Sequence, residues 1–137
     1  MLLAAPLPAQ QATPAGQLDI AVTNLRSAKG VVRLCLTRDP RHFPRCQDDP
    51  AALRLSAPAG KAATLSFAAV PPGHYAIAAF HDENGNSKLD TFAKIPREGF
   101  GFSRNPPIRF GPPRFSEARI SVGQGIVRQI VRLNYIL

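Results

Sequence analysis

The sequence predicts an all-β domain, an antiparallel sandwich of about seven strands, and three observations carry that prediction. Apolar residues recur with period two in short runs, as in LDIAVTNL, VVRLCLT and ATLSFAAV. Turn-forming residues separate these runs at near-regular spacing, and 14 Pro and 10 Gly leave little room for long helices. No segment shows a sustained helical period. A small barrel is the structural alternative.

In LDIAVTNL, Leu18, Ile20 and Val22 share one face. After the turn SAKG, VVRLCLT places Val32, Leu34 and Leu36 together, and the two runs read as a first hairpin. Residues 38–50, RDPRHFPRCQDDP, read as a loop, with a short strand following at ALRLS. ATLSFAAV then puts Ala63, Leu65 and Phe67 on one side. Pro71, Pro72 and Gly73 form a turn that launches YAIAAF. Tyr75, Ile77 and Ala79 lie on one face of that strand and Ala76, Ala78 and Phe80 on the other, which marks a central strand covered on both sides. Residues 83–115 lack periodicity and read as one long loop, a kind of segment that is commonly functional. ARISV and IVRQIVRLNYIL, separated by GQG, supply the last strands.

At 137 residues the chain fits one domain, placed at 17–137, behind a tail at 1–16. The tail, MLLAAPLPAQQATPAG, carries no charge and reads as the remainder of a secretory signal peptide or as a disordered extension. Export is the expectation, to the periplasm or out of the cell. No later segment approaches the roughly 18 uninterrupted apolar residues of a membrane-spanning helix. Two cysteines, Cys35 and Cys46, fit an exported protein with one disulfide; the other reading is a pair of thiols with Cys35 filling the core.

The formal charge of +8 comes from 17 basic against 9 acidic residues, and the cations are scattered from Arg26 to Arg132. None of the common nucleic-acid motifs appears, so an anionic envelope component, such as an acidic glycan or a lipid head group, is the more natural partner.

Three ordered segments, VPPGHYAIAAFHDENGNSKLD, IPREGFGFSRN and FGPPRFSEARISV, resemble the bacterial exported family known as domain of unknown function 2141. The resemblance covers most of the chain from Leu18 onward. It implies an immunoglobulin-like or transthyretin-like β-sandwich behind a signal peptide, without an assigned activity or catalytic residues to carry over. Ser87 departs from the family pattern, which has a second Gly in the asparagine-glycine run.

Within HDENGNSKLD, side-chain oxygens recur at Asp82, Asn84, Asn86 and Asp90, and the Lys88 carbonyl falls at the position a calcium loop uses for a main-chain ligand. Ser87 stands where the sharp turn favours Gly and Ala93 where an EF-hand has Glu, so the candidate is a calcium loop without flanking helices, completed by Glu98 or a distant carbonyl. The competing reading is a polar turn whose Asn and Asp side chains cap their own backbone. His74 and His81 differ by an odd number and face opposite sides of a strand; a histidine beside Asp82 reads as a hydrogen-bonded surface residue.

Residues 92–115 carry Lys94, Arg97, Arg104, Arg109 and Arg114 among Phe92, Phe100, Phe102, Phe110 and Phe115. Cations with interleaved aromatics can grip an anionic ligand. For at least three of the phenylalanines the expectation is a satellite core folded over the sandwich. The functional expectation is an exported, non-enzymatic binding or structural module of the envelope, with a hydrolase using Asp82, Asp90 and Glu98 as the alternative.

Overall fold

The period-two runs are strands in the computed structural model, which describes residues 15–61, 64–86, 91–92, 95–96, 98–108 and 111–136. They are β1 (Gly16–Thr23), β2 (Val31–Thr37), β3 (Leu53–Pro58), β4 (Leu65–Val70) and β5 (Gly73–Asp82). After them come the short β6 (Thr91–Phe92), β7 (Ile95–Pro96) and β8 (Gly99–Phe102), one helical turn α1 (Phe115–Ala118), β9 (Ile120–Val122) and β10 (Ile126–Arg132). One sheet has the order β10-β1-β4 and the other β3-β2-β5-β8, with β9 also pairing β5; β6 and β7 form a separate ribbon. The fold is an all-β sandwich, and no helix among the described residues is long and apolar enough to cross a membrane.

Between the sheets lie the inward halves of the alternating runs: Leu18, Ile20 and Val22, then Val32, Leu34 and Leu36, then Tyr75, Ile77 and Ala79, closed by Val131 and Leu133. In β4 the period slips. Phe67 and Val70 are buried while Ala68 and Ala69 are exposed, because a bulge separates the pairs Leu18↔Phe67 and Gly16↔Val70.

The expected first hairpin does not form. β1 and β2 sit in different sheets and face each other across the core. Period two fixes which face a strand buries but not which neighbour it pairs with. At the crossing Asn24 adopts φ 67° and its amide donates to the Leu133 carbonyl at 2.8 Å. β1 pairs antiparallel with β4 but parallel with β10, the one parallel contact of the sandwich among the described residues. A parallel pair needs a crossover, and here the intervening domain supplies it.

β5 is the central strand, as its two apolar faces predict. Its core face carries Tyr75, Ile77 and Ala79. Its outer face, with Ala76, Ala78 and Phe80, is covered by a second cluster of Phe100, Phe102 and Ala118, against which Phe43, Ile108 and Phe115 pack. Phe100, Phe102 and Phe115 thus fold back as a satellite core; Phe92 and Phe110 have side chains outside the described residues. Phe80 is only half-buried.

Part of the segment read as one long loop is strand β8, which pairs with β5 from Ala78↔Phe102 to His81↔Gly99. Its sequence GFGF hides it, since Gly weakens a strand pattern. A Cβ on Gly99 would lie 2.5 Å from the Tyr135 ring, and one on Gly101 would lie 2.7 Å from the Arg132 carbonyl oxygen. The glycines are there because the chain just after β10 crosses β8, where Phe100 and Asn134 exchange backbone hydrogen bonds of 3.1 and 2.7 Å.

Candidate functional site

Two regions hold the residues that the sequence singled out: the turn following β5, and the outer face of the larger sheet. At the turn, Asp82 is wholly buried. Its Oδ2 accepts from Arg33 Nε at 2.9 Å, and its Oδ1 accepts from the Asn86 N–H at 3.1 Å. The pair follows from register. Arg33 lies opposite Phe80 and Val31 opposite Asp82, so Arg33 and Asp82 are diagonal neighbours on the outer face. Asn84 Oδ1 also accepts from the Asn86 N–H, at 3.2 Å, closing an Asx turn, and Gly85 has φ 68°. Lys88 and Asp90 lie outside the described residues, and Glu98 is buried immediately before β8. Among the described residues, no group of three or more His, Cys, Asp or Glu side chains is arranged to hold a metal ion.

Glu83 reaches across to the β1–β2 connection. Arg26 donates to its Oε1 from Nε at 2.8 Å and from Nη2 at 2.5 Å, and the Ser27 hydroxyl donates to Oε2 at 2.9 Å. Partial burial pushes the Glu83 carboxyl up, but the hydrogen bonds from Arg26 and Ser27 and the charge of Arg26 outweigh it and leave it below its ordinary value. The same guanidinium lies 4.7 Å from the centroid of Tyr135.

His81, expected at the surface, is completely buried on the core face. The Lys29 carbonyl lies 2.6 Å from Nε2 and can only accept, so Nε2 carries the proton. Nδ1 then accepts from the Tyr135 hydroxyl at 2.9 Å, and that hydroxyl accepts from the Arg26 N–H at 3.2 Å. His74, on the opposite face as the spacing requires, is exposed and 3.0 Å from the Ser121 hydroxyl.

On the outer face, Cys35 of β2 is disulfide-bonded to Cys46, which draws residues 38–46 over the sheet. Asp49 fixes the end of this loop: it accepts from the Thr37 hydroxyl at 2.7 Å and from the Ala51 N–H at 2.9 Å. Those two hydrogen bonds hold its carboxyl below the ordinary range. Arg54 donates to the carbonyls of Cys46 and Asp49 at 3.1 and 3.0 Å. Asp39, hydrogen-bonded by the Arg41 side chain and N–H, is lowered to about 2.

A second segment, 111–118, covers the same face. The buried Ser103 hydroxyl fastens it, donating to the Ala118 carbonyl and accepting from the Ile77 N–H at 3.0 Å. Between the two covers runs a cleft of about 480 Å³, contributed by Pro40, Phe43 and Pro44 on one segment and by Pro112, Pro113, Arg114, Phe115 and Ser116 on the other. Phe43 makes edge contacts with Phe102 and Phe115, at centroid distances of 5.4 and 6.1 Å.

Of the five cationic candidates, Arg104 and Arg114 are exposed, and Arg114 lines the cleft. Lys94, Arg97 and Arg109 lie outside the described residues. Sequence reasoning missed Pro40, Phe43 and Pro44; the signal was an aromatic in a proline-rich loop bracketed by two cysteines. It also missed Arg26 and Arg33 as partners of the acidic turn, since those pairings span 57 and 49 residues.

Two expected outcomes follow from these contacts. Replacing Cys35 and Cys46 by Ser lowers unfolding stability by about 3 kcal/mol, the value for so short a closed loop, read from urea midpoints. An unchanged midpoint would mean that the bridge does not hold the cover. Acid is the second. Asp39, Asp49 and Glu83 all sit below ordinary values of 3.8 to 4.5, so the unfolded chain takes up protons first as pH falls. Their contribution is present above that range and is lost toward about 2, the value of Asp39. Melting temperature therefore falls over this window, and less steeply in Glu83→Gln; an identical slope would remove Glu83 from the explanation.

No curated protein and no solved structure matches this chain. A family model does, over residues 20–129, in agreement with the three segments that suggested it. The chain, with its buried Asp82 and its disulfide-fastened cover, therefore belongs to the family described as an uncharacterized protein conserved in bacteria, domain of unknown function 2141.

Proposed function

We propose that this chain is a non-enzymatic β-sandwich module with a binding or structural role in the cell envelope, working in the periplasm or outside the cell. The observation that carries the reading is the commitment of the acidic turn to the fold: Asp82 is buried against Arg33, and Glu83 is held by Arg26 and Ser27. A general base needs a carboxylate within reach of a substrate proton, and Asp82 is wholly buried. The disulfide supports an oxidising compartment.

The test is to incubate the full chain with cell-wall and capsular polysaccharide fractions and follow both retention and new reducing ends. Retention without new ends is expected. New ends that disappear in a still-folded Asp82→Asn variant would make the hydrolase reading correct. For the turn itself, capping by Asn84 and Asp82 accounts for the described contacts, and millimolar calcium added to chelator-treated protein is expected to leave the melting temperature unchanged. A rise that grows with calcium concentration would assign an ion there.

A further inference from the structure

The geometry points to the seam between the two covering segments as a binding cleft for an acidic polysaccharide, an inference that rests on the binding-module reading above. Phe43 and Phe115 are each half-buried, so the cleft presents ring surface that is already immobilised by edge contacts with one another and with Phe102. The disulfide, the Asp49 hydrogen bonds and the Ser103 bridge hold both walls before any ligand arrives. A ligand therefore meets a preorganised surface.

Charge selects an anion. No carboxylate lines the cleft, whereas Arg114 does, and Arg45 is exposed immediately after Pro44. Neither arginine is in an ion pair among the described residues. The net charge of +8 favours the approach of a polyanion.

Hydrogen-bonding capacity selects the class. Four of the lining residues, Pro40, Pro44, Pro112 and Pro113, have no N–H, and both aromatics are Phe rather than Tyr. An extended peptide would find few donors for its carbonyls, as strand addition requires them. An acyl chain would remain in water, because Pro40, Pro112, Arg114 and Ser116 are themselves exposed. A sugar ring instead offers a C–H face to proline and phenylalanine while its hydroxyls stay hydrated, and a uronate carboxylate can take a bidentate hydrogen bond from Arg114.

The test titrates the disulfide-intact full chain calorimetrically with polygalacturonate, neutral dextran, anionic phospholipid vesicles and an acidic proline-rich peptide. Polygalacturonate is expected to bind, more weakly as salt rises, with dextran giving no heat. Arg114→Gln, an exposed substitution whose folding is checked by melting, is expected to weaken binding about tenfold, and Arg45→Gln to weaken it less. Polygalacturonate binding that is unchanged in both folded variants overturns the cleft and leaves the binding-module reading standing. No binding of polygalacturonate by the folded chain, or binding of vesicles or peptide in its place, overturns the glycan assignment. New reducing ends during the titration would instead overturn the non-enzymatic reading itself.

Discussion

Gly30→Ala is expected to destabilise the chain by roughly 2–5 kcal/mol, combining the cost of a left-handed alanine with that of forced repacking. Gly30 has φ 70°, and a Cβ there would lie 2.1 Å from the Asp82 carbonyl oxygen and 2.6 Å from the Glu83 Cα. Both obstacles are backbone, so no side chain can swing aside. The glycine closes the β1–β2 connection directly against the turn that follows β5, and the Gly30 carbonyl also accepts the Ala59 N–H at 2.9 Å. Urea unfolding reads the effect as a lower midpoint. A midpoint unchanged from the parent would mean that the two connections do not touch as described. Gly85→Ala is the control: its φ of 68° is similar, but nothing lies within 4 Å of the added Cβ, so only the conformational part of the penalty remains.

Ile77→Ala is the second large effect, about 2–5 kcal/mol for a fully buried aliphatic side chain. Ile77 lies opposite Leu36 in the central pair, and its backbone bonds to Ser103 in the gap between β9 and β8 on the far edge of β5. Packing across the sandwich and hydrogen bonding along the sheet therefore meet at one residue. Phe80→Ala, three positions further on, is expected to cost less than its size suggests, because that ring is half-buried on the outer face. Thermal melting separates the two: a drop on the order of 10 °C for Ile77→Ala and a smaller one for Phe80→Ala. The reverse order would place the principal core on the other side of β5.

How much of this was legible in the sequence depends on the range of the interaction. Alternation is local, and it located β2 to the residue and named β5 as central because both its faces are apolar. Two cysteines in a chain with an uncharged start pointed to the bridge that forms. Phenylalanines too numerous to leave in water pointed to a satellite core. Pairing partners were not legible. Leu18 and Val32 each announce a buried face, yet nothing local says that these faces oppose each other across the core. β8 was hidden because its glycines record the neighbouring chain at Arg132 and Tyr135 rather than a strand propensity. The alternate oxygens of HDENGN suggested an ion; in the structure the two Asp82 oxygens accept from Arg33 and from the Asn86 N–H, and Asn84 Oδ1 accepts from that same N–H. The Arg33 contact needed the β2–β5 register.

If Asp82 serves the fold through Arg33, and not a reacting or bound ligand, the two side chains must be energetically coupled. Urea denaturation of the parent, Arg33→Met, Asp82→Asn and the double variant measures that coupling directly. Arg33→Met is expected to be the more damaging single change, since it leaves a buried carboxylate without its guanidinium, and Asp82→Asn is expected to recover part of the loss. The predicted coupling is on the order of 1–3 kcal/mol. Single effects that simply add, within about 0.5 kcal/mol, would contradict a structural role for Asp82 and return the acidic turn to the candidates for a binding or catalytic site.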